Sequence, residues 1–267
     1  MYYNLIPLMN KTPAFLPAAQ TYFDQVVTNG GSLTNNEKTY INTFIGALGT
    51  DFTEFDRLWI HGLANSVAAR TSLVNPTSTM ITAVNSPTFT ANQGYNGNGT
   101  NSYLNSNYNP STQGVKYTQN NASMFIYSLT NSSAVSFDIG QTSLNQTKSF
   151  IAPRYTDGNA YHPINVSALV GSPSIAVANS LSLYSVIRTA SNLQRLYKAG
   201  VLVATSTAIS EILTNNNIYI CAINSAGTAG SFSLRKFSAS GFGSGTINQA
   251  NFYTALQALG TSIGWAV

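Results

Sequence analysis

Few side chains in this sequence are equipped for chemistry. Eight Asp and Glu, two His and one Cys are spread over 267 residues, so any reaction must be assembled from a short stock. Asp24, Glu37, Asp51, Glu54 and Asp56 fall early, mostly at helix-cap or first-turn positions, which leaves Asp138, Asp157 and Glu211 for the rest of the chain. Cleavage of a glycosidic bond needs two carboxyls at a set separation, and no pair among the last three is close in sequence. His61 and His162 are far apart, and a zinc site needs further ligands of suitable type. In a helical reading His61 follows Trp59 and Ile60 and suits a packed or capping role. Serine is abundant, but no triad is legible without a histidine partner. Cys221 lies in the apolar run Ile218-Tyr219-Ile220-Cys221-Ala222-Ile223 and reads as a buried, inert thiol with no intrachain partner. Gly243-Ser244-Gly245-Thr246 could cradle an anion, yet a turn into a capped helix accounts for it with nothing left over. The expectation is a protein without catalytic residues, metal or cofactor.

What is left is recognition through neutral groups. The stretch Tyr155-Thr156-Asp157-Gly158-Asn159-Ala160-Tyr161 puts two rings, an acid and an amide in one loop. Sugars offer a C–H face to a ring and hydroxyls to amides and carboxylates. Tyr155, Asp157, Asn159 and Tyr161 are therefore candidate carbohydrate-binding residues. Tyr95, Tyr103 and Tyr108, beside Asn96 and Asn107, form a second candidate group. The same tyrosines could instead pack the rim of a domain or a contact between subunits.

Charged residues make up 7% of the chain, where roughly a quarter is typical. Asn, Ser, Thr, Gln and Gly must then build the surface, and such a surface suits contact with sister molecules or neutral polymers because little charge has to be desolvated. The net charge is only +4, and Arg235-Lys236 is the one adjacent basic pair, which argues against nucleic acid as a partner. No apolar run has the length of a membrane span. The first residues show no secretory signal, so synthesis in a cytoplasm is expected.

The elements that must position these groups change character along the chain. Residues 1–16 read as an extended apolar arm that packs on its own domain or on a neighbouring subunit. Pro17 opens a helix whose face is Ala19, Tyr22, Phe23, Val26 and Val27, ended by Gly30-Gly31. Thr34 and Glu37 form a capping box for a second helix through Ile41, Phe44, Ile45 and Leu48. Asp51 and Glu54 repeat that spacing and predict a third helix through Phe55, Leu58, Trp59, Leu63 and Val67. From about residue 75 the period drops to that of strands. Short ones are expected over 80–84, 88–90, 124–129, 134–139, 149–152, 162–166, 180–188, 194–198, 201–206, 217–224 and 231–237. No helix intervenes, which is the pattern of an antiparallel sandwich. Leu196 to Val203 reads as a hairpin in which Ala199 resists positive φ and Gly200 takes the bulge. A last helix, capped by Thr246 and Gln249 and carrying Phe252, Leu256, Leu259 and Ile263, ends with Trp265 as a plug.

Several motifs, taken in order, resemble a known group. Gly94-Tyr95-Asn96-Gly97, Ser102-Tyr103-Leu104 and Tyr108-Asn109-Pro110 are similar to the opening of concanavalin A-like, LamG-type jelly rolls, in particular those of bacteriophage virion and appendage proteins. Phe137-Asp138-Ile139-Gly140, Ile151-Ala152-Pro153-Arg154, Val186-Ile187-Arg188, Arg195 to Val203 and Phe242-Gly243 follow in the order of that group. Asp56-Arg57-Leu58-Trp59 resembles the segment ahead of the sandwich. The resemblance runs from about residue 20 to the end. It implies a fold that is mainly β with α: an N-terminal arm and helical anchoring unit (1–74), then a LamG-like sandwich with a C-terminal helix (75–267). It further implies a structural part of a phage particle, in the head surface, a fibre or the tail, with other virion proteins and copies of itself as partners. A host-adhesion module for bacterial surface glycan is the alternative, and a glycan-cleaving enzyme a second. Calcium is common in LamG-type modules, and here only Asp138 and Asp157 could serve it.

Overall fold

Pro17 opens α1 (Pro17–Thr28), and α2 (Asn35–Leu48) begins at the expected capping box, where Thr34 Oγ1 accepts from Glu37 N at 3.1 Å and Glu37 Oε2 from Thr34 N at 2.8 Å. The computed structural model describes residues 14–143, 147–167 and 172–267, so most of the expected arm lies outside the described residues.

The third helix does not form. A 3-10 turn over Gly49–Glu54 leads into a strand, Phe55–Ile60, with every residue buried. A strand covered on both faces loses its polar alternation, and a bulge between Phe55 and Arg57 shifts the side-chain period. Phe55, Leu58 and Ile60 then face one layer and Trp59 the other, a spacing that imitates a helix.

In chain order the strands are β1 (Phe55–Ile60), β2 (Thr82–Val84), β3 (Thr88–Thr90), β4 (Gly94–Asn96), β5 (Tyr103–Asn105) and β6 (Ala122–Ser128). After the short helix α3 (Pro110–Gln113), which precedes β6, come β7 (Ile139–Thr142), β8 (Lys148–Ile151), β9 (Asn159–Tyr161), β10 (Ser174–Ala176) and β11 (Ser182–Ala190). The series closes with β12 (Leu193–Lys198), β13 (Val201–Ser206), β14 (Tyr219–Ile220), β15 (Ile223–Ser225), β16 (Thr228–Gly230) and β17 (Lys236–Gly243), then α4 (Gln249–Ile263). One sheet runs β13-β12-β11-β6-β17-β4-β3, with β1 also on β17; the other runs β16-β15-β7-β14-β5-β2, with β8 on β7. Every pairing is antiparallel except β15 with β7. β9 and β10 form a separate ribbon. The chain is an antiparallel β-sandwich of jelly-roll type with N-terminal helices and a C-terminal helix.

The core between the sheets is a row in register, Leu104–Ile220–Ile139–Ile151, under Trp59, Met124, Ile126, Val186, Phe237 and Phe242 of the first sheet. The first sheet's other face is roofed by the helices. Phe252 of α4 meets Phe125 at 4.6 Å and Phe55 at 5.2 Å between ring centres. Trp265 plugs this layer against Tyr127, and a Cβ on Gly62 or Gly260 would come within 2.5 or 2.6 Å of its ring.

Other expectations shift for identifiable reasons. The strand expected over 231–237 is β17, displaced into Ser238 to Gly243, a stretch whose glycines read as a turn. They are there because β1 approaches closely: a Cβ on Gly241 would sit 2.5 Å from Arg57 O, and one on Gly243 2.3 Å from Glu54 O. Asn248, not Thr246, caps α4, accepting from Asn251 N at 3.0 Å. In the β12–β13 hairpin Ala199 does take positive φ, 50°, beside Gly200 at 73°, so the two-residue turn has both centres left-handed and matches the strand twist. Residues 134–138 and 162–165 are loops; Pro163 interrupts the second, where only Val166 bridges to Lys148.

Candidate functional site

The stretch 155–161 folds as a tight tip. Gly158 N donates to Tyr155 O at 3.0 Å and Tyr155 N to Asn159 O at 2.7 Å, closing a loop of Thr156, Asp157 and Gly158. Gly158, at φ 82°, supplies the left-handed residue that such a three-residue loop requires. Below the tip, Ala152 and Tyr161 exchange both backbone hydrogen bonds, at 2.9 and 3.0 Å. β10 flanks the other side, pairing Ile175 with Ala160.

Four candidate residues converge there. The rings of Tyr155 and Tyr161 stand at 90°, 5.9 Å apart, and both are half-buried. Asp157 is exposed at the tip, with Oδ1 accepting from Asn159 N at 2.9 Å and Oδ2 from the Tyr161 hydroxyl. Those donors, the Tyr161 hydroxyl foremost, hold the Asp157 carboxyl below its ordinary range, while the same bond pushes the Tyr161 phenol up. The carboxylate is thus ionised, and each oxygen keeps capacity for a further donor.

The platform beneath is not evident from the sequence. Phe150 of β8, Ala152 and Ile223 of β15 form a small cluster on the outer side of the second sheet, over which Phe137, Tyr155 and Tyr161 pack. Phe137 meets Phe150 at 4.3 Å and Tyr155 at 6.3 Å. The nearest signal is Gly140, paired with Phe150: a Cβ there would lie 2.4 Å from Phe150 Cβ.

The second candidate group is not brought to this place. Tyr95 and Tyr108 are 3% and 0% exposed, so neither has a face to offer a ligand. Tyr95 donates to Ser66 O at 3.2 Å. Tyr108 stacks on Phe242 at 5.2 Å and donates to Asp56 Oδ2 at 2.8 Å. Asp56 also gathers the backbone N–H groups of residues 115–117 and is fully engaged in holding that loop. Tyr103 is half-buried and lies 4.5 Å from Tyr219.

The remaining reactive groups are committed to structure. Asp138 is 0% exposed and paired with Arg235 at 2.7 Å, with Ser233 Oγ donating at 2.8 Å. It can neither face a substrate nor complete a calcium shell with exposed Asp157. Glu211 accepts from Ser167 Oγ at 3.1 Å. His61 is not helical; it follows β1, donates from Nδ1 to Ala69 O at 2.9 Å and accepts from Ser240 Oγ at Nε2 at 2.8 Å. That pattern fixes a neutral tautomer, and burial lowers the ring to about 4. His162 is buried, stacked on Tyr184 at 5.4 Å and lowered by burial to about 3. The Cys221 thiol is fully buried, which pushes it up. The possible anion cradle before α4 is filled from within: Glu54 Oε2 accepts from Thr246 Oγ1 at 3.1 Å and Asp51 Oδ1 from Asn248 N at 3.3 Å. Among the described residues no group of three or more His, Cys, Asp and Glu could hold a metal ion, and no helix is long and apolar enough to cross a membrane. An apolar groove of about 450 Å³ runs between α1, Phe52, Val74, Pro76 and Val115, and it contains none of the candidate sugar residues.

No protein-family model matches the chain, and no curated protein matches it. Among solved structures it is similar to a mutant of Trypanosoma rangeli sialidase displaying trans-sialidase activity, at 10% identity and TM-score 0.55 over 90% of this chain and 37% of that one. Weaker likenesses are to the botulinum neurotoxin serotype D binding domain (14% identity, TM-score 0.43, 65% of this chain and 46% of that one) and to the CBM40 of Ruminococcus gnavus IT-sialidase bound to α2,3 sialyllactose (16%, 0.36, 52% and 84%). This chain spans less than half the length of the trypanosomal and neurotoxin chains. At 10% identity the sialidase likeness is one of fold alone.

Proposed function

We propose that this chain is a non-enzymatic carbohydrate-binding β-sandwich module, with the 155–161 tip as its sugar site. The observation that carries the reading is a right-angled pair of half-buried tyrosines, one of them bonded through its hydroxyl to an exposed, ionised carboxylate with unused acceptor capacity. A sugar ring laid on Tyr155 or Tyr161 would place its hydroxyls against Asp157 and Asn159, and the Phe137–Phe150 platform keeps both rings from collapsing. Asp138, one of the three carboxylates on which hydrolysis would have to draw, is walled in by Arg235.

The finer part of the reading is that the module belongs to a bacteriophage particle, anchored by its N-terminal region and by contacts with copies of itself. The ordered motifs and the charge-poor composition support it. Proteomics of purified particles should find the chain in stoichiometric amount, and its absence from particles would remove that part alone.

Binding of the full chain to a glycan array tests the module directly. Tyr155→Ala and Tyr161→Ala should each weaken the signal about tenfold, the scale of one lost aromatic contact, with the unfolding midpoint nearly unmoved. Silence across bacterial surface glycans, or full binding by both variants, would contradict the assignment.

A further inference from the structure

The site's charge is opposite in sign to the chain's net +4. Asp157 is held by hydrogen bonds from Tyr161 and Asn159, and among the described residues the ion pairs are Lys116–Glu54 and Arg235–Asp138, neither of which involves it. Arg154, the nearest arginine in sequence, has its Nε buried and gives its carbonyl to Arg235 Nη2 at 2.5 Å. Lys148 donates to Ser167 O at 2.9 Å. Arg235 and its positive charge are spent inside the sandwich on Asp138. Beside the ring pair there is therefore one fixed negative charge, bonded to the Tyr161 hydroxyl and ion-paired with no described residue.

We infer that Asp157 is a specificity-determining residue that makes the site accept neutral, hydroxyl-rich sugars and turn away acidic ones such as sialic acids, uronic acids and sulfated sugars. This rests on the sugar site proposed above. A neutral sugar donates hydroxyl hydrogens to the free lone pairs of Oδ1 and Oδ2, and charge-assisted bonds of that kind are the stronger class. An acidic sugar lodged on the same rings brings a second carboxylate or sulfate near the first with no arginine fork to receive it. Two like charges about 4 Å apart in water repel by an amount worth on the order of fivefold in affinity, and more where the ring faces exclude solvent. Such rejection by like charge is specificity through repulsion, not through an added attraction.

The test is an array of neutral oligosaccharides printed beside their sialylated, uronate-containing and sulfated counterparts, probed with the full chain at low and high salt. Neutral members should exceed their acidic counterparts at least about fivefold at low salt, and the gap should shrink at 0.5 M salt, where the screening length is only a few ångströms. Neutral binding itself should change little with salt. Asp157→Asn should narrow the gap, and Thr156→Lys, which leaves the Asp157 hydrogen bonds in place, should narrow it by supplying the missing cation at an exposed position. Acidic glycans binding as well as neutral ones, or a gap unchanged in both variants, would overturn the inference while leaving the sugar site standing. Binding to no glycan at all would overturn the sugar site and the inference with it.

Discussion

The two outward faces of the sandwich are both aromatic, and they do different things. Over the first sheet, Phe55, Phe125 and Phe252 meet beneath α4 with Trp265 sealing the end, and all four are 1–3% exposed. Over the second sheet, Phe137, Phe150, Tyr155 and Tyr161 meet with no helix above them among the described residues, and the outermost rings are half-buried with an ionised acid on the Tyr161 hydroxyl. Ring content is similar; the layer above differs. Where a helix can cover the rings they become core, and where only a three-residue tip covers them they stay available to a ligand that has its own apolar face.

Substitutions should separate the two faces sharply. Phe252→Ala is expected to cost about 3–5 kcal/mol in chemical denaturation, as for a large ring removed from a packed layer. Tyr161→Ala should fall within the range of ordinary surface changes, about 0.5 kcal/mol, while binding weakens about tenfold. Equal destabilisation by both would erase the distinction. Asp138→Ala, which strands the fully buried Arg235 in the interior, should cost a similar 3–5 kcal/mol. The double variant Asp138→Leu with Arg235→Met should recover much of it, and a double as unstable as the single would show that the pair does more than balance charge.

Acid should act on the interior shared by both faces. His61 and His162 are lowered to about 4 and about 3 against an ordinary 6.5. The unfolded chain therefore binds protons first, and stability present above pH 6.5 is lost as pH falls toward those lower values. At pH 5 the loss is about 2 kcal/mol per histidine. Replacing His61 and His162 by Gln should flatten the melting temperature between pH 7 and 5, and an unchanged slope would contradict the burial argument. The smallest effect lies at the hairpin, where Ala199→Gly should stabilise by about 0.5–1 kcal/mol by relieving positive φ. A lower melting temperature there would mean that the alanine methyl is contributing contacts.

Legibility in the sequence followed how local the causes were. The α2 capping box needs only Thr34 and Glu37, and the tip needs only Asp157-Gly158 between two tyrosines, so both could be read directly. β1 and β17 could not, because each is covered on both sides by other elements. Burial removed the alternation from one, and the close approach of β1 filled the other with glycines that resemble a turn. Tyr95 and Tyr108 sit in sugar-like surroundings of Asn and Gly, yet their partners Phe89, Phe242 and Asp56 come from other strands and draw them inside. The Phe137–Phe150 platform depends on Gly140 across a strand pairing, which spacing along the chain does not reveal.

Hydrogen exchange of the full chain, with and without a saturating amount of the neutral oligosaccharide that gives the strongest array signal, tests the division of the two faces most directly. The account predicts added protection confined to residues 152–161 and their β10 neighbours, with α1, α2 and α4 unchanged. Protection over the helices or the Tyr103–Tyr219 region, with residues 152–161 unaffected, would contradict it.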